Sequence, residues 1–436
     1  MVLKKNKKII NYYKFAKKII PGGSMLYSKK AELYSPDYWP YYYQKSKGCY
    51  LWSVDGKKYI DMMFAVGTNT LGYCKKEVDN EVIKAIKKGN MTSLNNNDEV
   101  ELAKILIKLH PWSNNVRFFR GGGEANAAAI RVARASAKKQ NIAFCGYHGW
   151  HDWYLSSNYN DKNNLDAHLM SNLKSYGVPI ELKNSCFPFF YNDFEGLKKL
   201  VRFKKIGIVI MEVRRNVEPK NNFLKKVRHL CNKNNIILIF DECTSGFREN
   251  MGGMHMEYGV YPDLAMFGKA LGNGFAINAV IGKKKIMKNF DKTFVSSTFW
   301  TERVGSVAGL ATLSFMKKNK TYEFIKLQGK KIKLKWKKIA KEFNIDIFVS
   351  GLDSIPKFAF KKEDNLKKTY LTQQMLKRGY IASNIVYVSI SHNDTILKKY
   401  FKNLREVFQK ISKMNDSNLK KEIIGRECFS PFSRLN

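Results

Sequence analysis

The chain has 436 residues, 44% of them hydrophobic, and carries 77 Lys+Arg against 37 Asp+Glu for a formal net charge of +40. That length and apolar content exclude a disordered tail or a single small module, and allow a large domain with smaller appendages. The charge alone would suit nucleic acid or an anionic surface. However, the lysines are dispersed, and no zinc-ligand spacing, RNP-like aromatic strand or basic heptad region occurs, so solvated lysine faces are the better account.

Residues 1–20 predict a basic amphipathic helix. Ile9, Ile10, Tyr13, Phe15, Ala16, Ile19 and Ile20 stand apart from lysine, and Pro21-Gly-Gly23 supplies the stop. Asn11-Tyr-Tyr-Lys14 interrupts any signal-like apolar run, and no 18-residue apolar stretch follows elsewhere, so a cytoplasmic protein without a membrane span is expected. Cys49-Tyr-Leu-Trp-Ser-Val54 and Lys58-Tyr-Ile-Asp61 flank Asp55-Gly56 as a hairpin. From about residue 75 helices and strands alternate. Helices are predicted over 77–88 (Val78, Val82, Ile83 and Ile86 on one face), 98–109, 124–138 and 223–232. Strands are predicted at 116–119, 142–145, 206–211 and 236–240. Apolar strands separated by helices imply an α/β, largely parallel sheet covered on both faces. Beyond about 310 the pattern becomes a small α+β region. It has Lys-rich helices over 317–343, strands at 346–349, 357–360 and 386–390, and helices at 371–379 and 394–413. The expected division is 1–70, 71–310 and 311–436. The seven cysteines, Cys49, Cys74, Cys145, Cys186, Cys231, Cys243 and Cys428, include no Cys-x-x-Cys pair and fit a reducing compartment.

Four places carry candidate chemistry. Gly121-Gly122-Gly123 lies between a strand and a helix, where backbone N–H groups can cradle an anion. There is no GxGxxG and no GKS/T, so neither a dinucleotide nor a P-loop site is supported. Tyr147-His148 follows the next strand, where an aromatic ring can stack on a flat heterocycle. Asp241 closes an otherwise apolar strand, at the end where such sheets bind ligands. Lys269 stands among Gly268, Ala270, Leu271, Gly272 and Gly274, 28 positions after Asp241. A lysine in these surroundings can form an imine with an aldehyde, and an upstream acid can keep a pyridine nitrogen protonated. Together they suit pyridoxal 5′-phosphate (PLP) as cofactor, with Lys269 and Asp241 as the catalytic pair.

The segments Asp241-Glu-Cys-Thr-Ser-Gly-Phe-Arg248 and Pro262-Asp-Leu-Ala-Met-Phe-Gly-Lys269-Ala-Leu-Gly-Asn-Gly274 resemble the signature of the class III (ω-) aminotransferases. Pro21-Gly-Gly23, Lys47–Gly56, Tyr59-Ile-Asp61 and Phe118–Ala125 resemble the glutamate-1-semialdehyde aminomutase branch. The resemblance runs from about residue 20 to 415. It implies fold type I of PLP enzymes, with a large mostly parallel-sheet domain and a smaller α+β domain from the N- and C-terminal segments. It also implies a homodimer with shared active sites. In that family's terms Lys269 holds PLP, Asp241 pairs with the ring nitrogen, and Tyr147 stacks on the ring with His148 beside it. Gly122 and Gly123 hold the phosphate, and Thr298 reaches a phosphate in the other subunit. Glu212, Asn216 and Ser245 complete the cofactor set.

The chain departs from the family at Gly121-Gly122-Gly123, where hydroxyl-bearing residues are usual, and at Glu212-Val213-Arg214-Arg215, where Glu-Pro is usual. Phe299-Trp-Thr-Glu-Arg303 also departs, and the aminomutase's N-terminal substrate Arg is missing. Arg214 and Arg215, with Arg303, are candidates for binding a substrate anion. No metal is expected. The expected function is transfer of an amino group from a small-molecule donor to an aldehyde or ketone. An intramolecular aminomutase is the alternative, and an inactive basic nucleic-acid-binding or scaffold protein is the non-enzymatic rival.

Overall fold

The computed structural model describes residues 7–159 and 174–429. Lys76–Glu323 form one compact unit, and the stretches up to Lys75 and from Phe324 onward form a second.

The larger unit is built on seven strands. They are β1 (Asn115–Phe119), β2 (Asn141–Cys145), β3 (Cys186–Pro188), β4 (Ile206–Glu212), β5 (Ile237–Glu242), β6 (Leu264–Phe267) and β7 (Asn278–Gly282), in the order β1-β7-β6-β5-β4-β2-β3. β7 pairs antiparallel with both neighbours, and every other pairing is parallel. β4 and β5 are buried at every position, as a sheet covered on both faces requires. β3, β6 and β7 were not foreseen. Leu264-Ala-Met-Phe and Asn278-Ala-Val-Ile-Gly are short apolar runs beside glycines, and periodicity alone does not separate such runs from loop.

The longer helices are α1 (Lys76–Lys87), α2 (Asn97–Leu109), α3 (Gly122–Ser136), α4 (Phe194–Phe203), α5 (Phe223–Lys233) and α6 (Arg303–Asn319). Asn96 caps α2 by accepting the Glu99 N–H at 3.1 Å. α3 packs on β4, β5, β6 and β7, and its alanines allow the close approach. On α1 the buried face is Val78, Val82 and Ala85, whereas Ile83 and Ile86 point to solvent at 49% and 54% exposure. The face expected from sequence joined two sets of apolar residues that helical geometry separates.

In the smaller unit, strands Tyr43–Lys47, Tyr50–Ser53 and Lys58–Asp61 form the antiparallel meander, and Tyr380–Ile381 adds to it in parallel. Strands Ile347–Ser350 and Lys357–Phe360 pair separately. Its core gathers Trp336, Phe358, Tyr370, Tyr400 and Phe408, and the Trp336 indole donates to the Tyr400 hydroxyl at 3.2 Å. Residues 386–390 are not a strand. Val386 and Val388 donate to the Pro356 and Ser354 carbonyls, whereas Tyr387 donates to Met62, so the segment is extended but shared between neighbours. Helix Lys7–Ile19 buries Ile9, Tyr13 and Ala16, and Phe15 and Ile19 stay exposed. Among the described residues no helix is long and apolar enough to cross a membrane, and no cluster of His, Cys, Asp or Glu could hold a metal.

Candidate active site

β5 ends in Phe240-Asp241-Glu242, and strand alternation sends the two acids to opposite faces. Asp241 is buried. Its Oδ2 accepts from Asn126 Nδ2 and from His148 Nδ1, each at 2.8 Å, and its Oδ1 accepts the Cys243 N–H at 3.0 Å. Asn126 sits on the sheet side of α3 and also donates to the His148 carbonyl at 3.3 Å. Donors on both oxygens fix the orientation of this carboxyl group at the carboxyl end of the strand, where open α/β sheets bind ligands.

Lys269 emerges next to it. β5 and β6 pair Asp241 with Met266 and Glu242 with Phe267, so the chain leaves β6 beside the same crevice. Gly268 admits no side chain there, because a Cβ would stand 2.0 Å from Asn278 Oδ1. Lys269 itself adopts φ 46°, a left-handed conformation that costs a non-glycine residue about 1–3 kcal/mol and is typical of functional positions. Its Nζ donates to Thr244 Oγ1 at 2.7 Å.

The glycine turn supplies a third side. Gly121 is extended and α3 begins at Gly122. Glu124 Oε1 accepts the N–H groups of Arg120 and Gly121 at 2.7 and 2.6 Å and the Trp300 indole at 3.1 Å. The next two N–H groups, of Gly122 and Gly123, open the helix with its positive end. A Cβ on Gly122 would lie 3.2 Å from Cys243 Sγ, and one on Gly123 would lie 3.0 Å from the His151 ring. The glycines therefore keep open a cradle that side chains would fill. Burial pushes the Cys243 thiol up to about 11 despite the lowering effect of Lys269, and burial lowers the His151 imidazole below its ordinary value.

Tyr147 is 38% exposed and sits edge-on to Tyr154. Its N–H donates to Glu212 Oε2 at 3.3 Å. Gly146, at φ 116°, is required here, since a Cβ would meet the Glu212 carboxylate at 2.7 Å. Arg214 pairs with Glu218, and Arg303 pairs with Asp98 at 2.5 Å, so two of the three guanidiniums expected to face an anion have carboxylate partners. Arg215 is buried and Asn216 half-buried after β4. Thr298 is exposed at the start of a short turn, where its carbonyl accepts from the Thr301 hydroxyl.

Ser245 lies elsewhere than expected. Its hydroxyl donates to Glu242 Oε2 at 2.5 Å, on the underside of the sheet. Glu242 also accepts the N–H groups of Met254 and His255 at 2.9 and 2.8 Å, and His255 Nδ1 at 2.8 Å. The Trp112 indole donates to His255 Nε2 at 2.9 Å. An indole N–H only donates, so Nε2 is the accepting nitrogen of His255 and Nδ1 the one that faces Glu242. Burial pushes the Glu242 carboxyl up, but the His255 and Ser245 hydrogen bonds outweigh it and hold it below the usual range.

Sequence reading missed Asn126 and Thr244. Asn126 is an amide inside the alanine-rich run Ala125–Ala129, and a buried polar residue there was the available signal. Thr244 sits within the Asp241–Arg248 segment, and nothing in the spacing separates it from Ser245.

The profile of the aminotransferase class-III family matches residues 33–411. The chain is 32% identical over 421 residues to a 3-aminobutyryl-CoA aminotransferase of Cloacimonas acidaminovorans, covering 93% of this chain and 97% of that protein. It is 32% identical over 413 residues to a glutamate-1-semialdehyde 2,1-aminomutase of Nitrosopumilus maritimus, covering 88% and 95%. Its fold matches that of the FumI protein of Sphingopyxis sp. MTA144, solved with PLP, at a TM-score of 0.84 and 20% identity, covering 95% of this chain and 100% of that one.

Proposed function

The chain belongs to the class-III aminotransferases and is a PLP-dependent enzyme of amino transfer, and from that premise we propose a role for each residue of the crevice. The residues fit the cofactor. A glycine cradle at a helix start suits a phosphate, an exposed tyrosine suits a flat ring, and a multiply bonded carboxylate suits a pyridinium. Bound there, PLP supplies an aldehyde for the substrate amine and an electron sink for the carbanion formed beside it.

Lys269 Nζ is the amine that would bind the aldehyde, and once released it would carry a proton from the substrate carbon to the carbon that bore the aldehyde. Asp241 keeps the pyridine nitrogen protonated, and Asn126 and His148 hold Asp241 in place. Gly122 and Gly123 bind the phosphate through backbone N–H groups. Tyr147 covers the ring with His148 behind it, Glu212 braces the Tyr147 backbone, and Asn216 lies toward the ring hydroxyl. Ser245 is a support for Glu242 instead of a cofactor ligand. Arg214 and Arg215 remain the candidates for a substrate anion, with Arg214 first having to leave Glu218.

The single observation that carries this reading is that Asp241 and Lys269 leave adjacent parallel strands at their carboxyl ends. The assembly proposed is a homodimer, with Thr298 of each subunit completing the other's phosphate site. Ile83, Ile86, Met91, Leu94 and Val100, all well exposed on and between α1 and α2, offer apolar surface to a second copy. The free cysteines fit a cytoplasmic location.

The substrate reading is intermolecular transfer to a 3-oxoacyl-type carbonyl, on likeness to the 3-aminobutyryl-CoA enzyme. Likeness to the aminomutases supports a second reading, transfer within one molecule. Turnover of 3-aminobutyryl-CoA with a keto-acid acceptor supports the first. Isomerisation of glutamate-1-semialdehyde with no external donor supports the second and overturns the first.

A further inference from the structure

We infer that Thr244 is the positioning residue for the Lys269 amine, and that its hydroxyl serves that amine in both of its protonation states. The inference rests on Lys269 being the imine-forming amine. Lys269 Nζ donates to Thr244 Oγ1 at 2.7 Å. The partner is a hydroxyl although two buried acids, Asp241 and Glu212, lie at the carboxyl ends of β5 and the neighbouring β4.

The difference is chemical. A carboxylate only accepts, so it favours an ammonium and withdraws the lone pair that must attack an aldehyde or remove a proton. A hydroxyl both accepts and donates. It can accept from the ammonium and, by rotating its own hydrogen, donate to the lone pair of the neutral amine. A base that becomes an acid within one cycle therefore keeps the same partner throughout.

Thr244 is held for this work from its other side. Its carbonyl accepts Arg248 Nε at 2.5 Å, and Arg248 is fully buried. Directly after it the turn is tied to Glu242: the Ser245 hydroxyl reaches Glu242 Oε2, and the Gly246 N–H reaches the Glu242 carbonyl at 2.9 Å. Glu242 is tied in turn to His255, and His255 to Trp112. The buried network under the sheet thus anchors a turn whose one outward hydroxyl meets Lys269. On the lysine side, the left-handed φ of 46° fixes where the stem begins. A four-carbon stem with about 2 kcal/mol of rotamer entropy still needs a partner at its tip to be aimed.

The test compares Thr244→Val, nearly isosteric but without the hydroxyl, with Thr244→Ser. The readout is the rate at which PLP added to each apoprotein develops the visible imine band. Thr244→Val is expected to slow it about tenfold, the loss of one hydrogen bond, and Thr244→Ser to stay within about twofold of wild type. Equal rates for Val and wild type, or a Ser variant as slow as Val, would overturn the inference, the second because it assigns the effect to packing. If Thr244→Val fails to fold by circular dichroism, Thr244→Ala takes its place with the same criteria. A wild-type protein that never develops the band refutes the Lys269 reading itself, whatever stands at 244.

Discussion

Asp241 and Glu242 are consecutive acids on one strand, both buried, yet the two faces they meet have opposite characters. On the upper face, Asp241 is held by Asn126, His148 and the Cys243 N–H, at the strand end beside which Lys269 leaves the neighbouring strand. On the underside, Glu242 is enclosed by Ser245, His255 and two backbone N–H groups, with Trp112 behind His255. The comparison teaches that burial and hydrogen bonding alone do not mark a catalytic acid. What separates the two is position: Asp241 stands at the strand end beside Lys269, whereas Glu242 is enclosed on its own face by groups that it bonds.

Substitutions on the two faces should therefore fail differently. The largest effect is expected for Lys269→Ala: turnover should fall by about 10³-fold or more with thermal stability little changed, since only the reacting amine is lost. Asp241→Asn keeps shape but not charge, and should lower turnover by about 10²–10³-fold while PLP still binds. Absorbance and steady-state rates check both. If either variant instead unfolds with near-normal specific activity in the remaining folded protein, the upper face is structural.

Glu242→Ala should do the reverse. Breaking the buried network is expected to cost about 3–5 kcal/mol of stability by denaturant titration, with the surviving folded fraction still showing the PLP band.

The underside also sets an acid limit. Burial depresses His110, which packs against His255, to about 4, although its hydrogen bond to the Leu106 carbonyl opposes the shift. Unfolded, the same group titrates near 6.5. Between these values the unfolded chain binds a proton that the folded one does not, so stability falls as pH drops from about 6.5 to 4, by about 3 kcal/mol for this group. The depressed Glu242 adds a loss at lower pH, as its carboxylate protonates. His110→Gln should flatten the first slope in denaturant titrations run across that range; an unchanged slope would remove His110 from the account.

The smallest effect is predicted for Ser245→Ala, a stability loss of about 1 kcal/mol with an unchanged PLP dissociation constant. Weakened PLP binding would return Ser245 to the upper face.

The fold class and the main parallel strands were legible in the sequence because β4 and β5 are uninterrupted apolar runs and the intervening helices are amphipathic. Lys269 and Asp241 stand out in the sequence because a lysine among glycines and an acid ending an apolar strand are both exceptions to local expectation, and the fold brings them to the ends of adjacent strands. Ser245 and Thr244 were not separable, since adjacent hydroxyls at the end of a strand differ only in which face the turn gives each. The carboxylate partners of two arginines differ in how legible they are: Glu218 stands four residues after Arg214, whereas Asp98 is far from Arg303 in sequence and only the fold brings it there. Ile83 and Ile86 turn outward because the 100° step of a helix carries them away from the face shared by Val78, Val82 and Ala85.

The most direct test of the crevice assignment is an absorbance spectrum of the purified protein with PLP, recorded before and after borohydride reduction and followed by mapping of the modified peptide. The account predicts a visible band and a reduced pyridoxyl group on Lys269 alone. A colourless protein, or a pyridoxyl group fixed to another lysine with Lys269 unmodified, would contradict it.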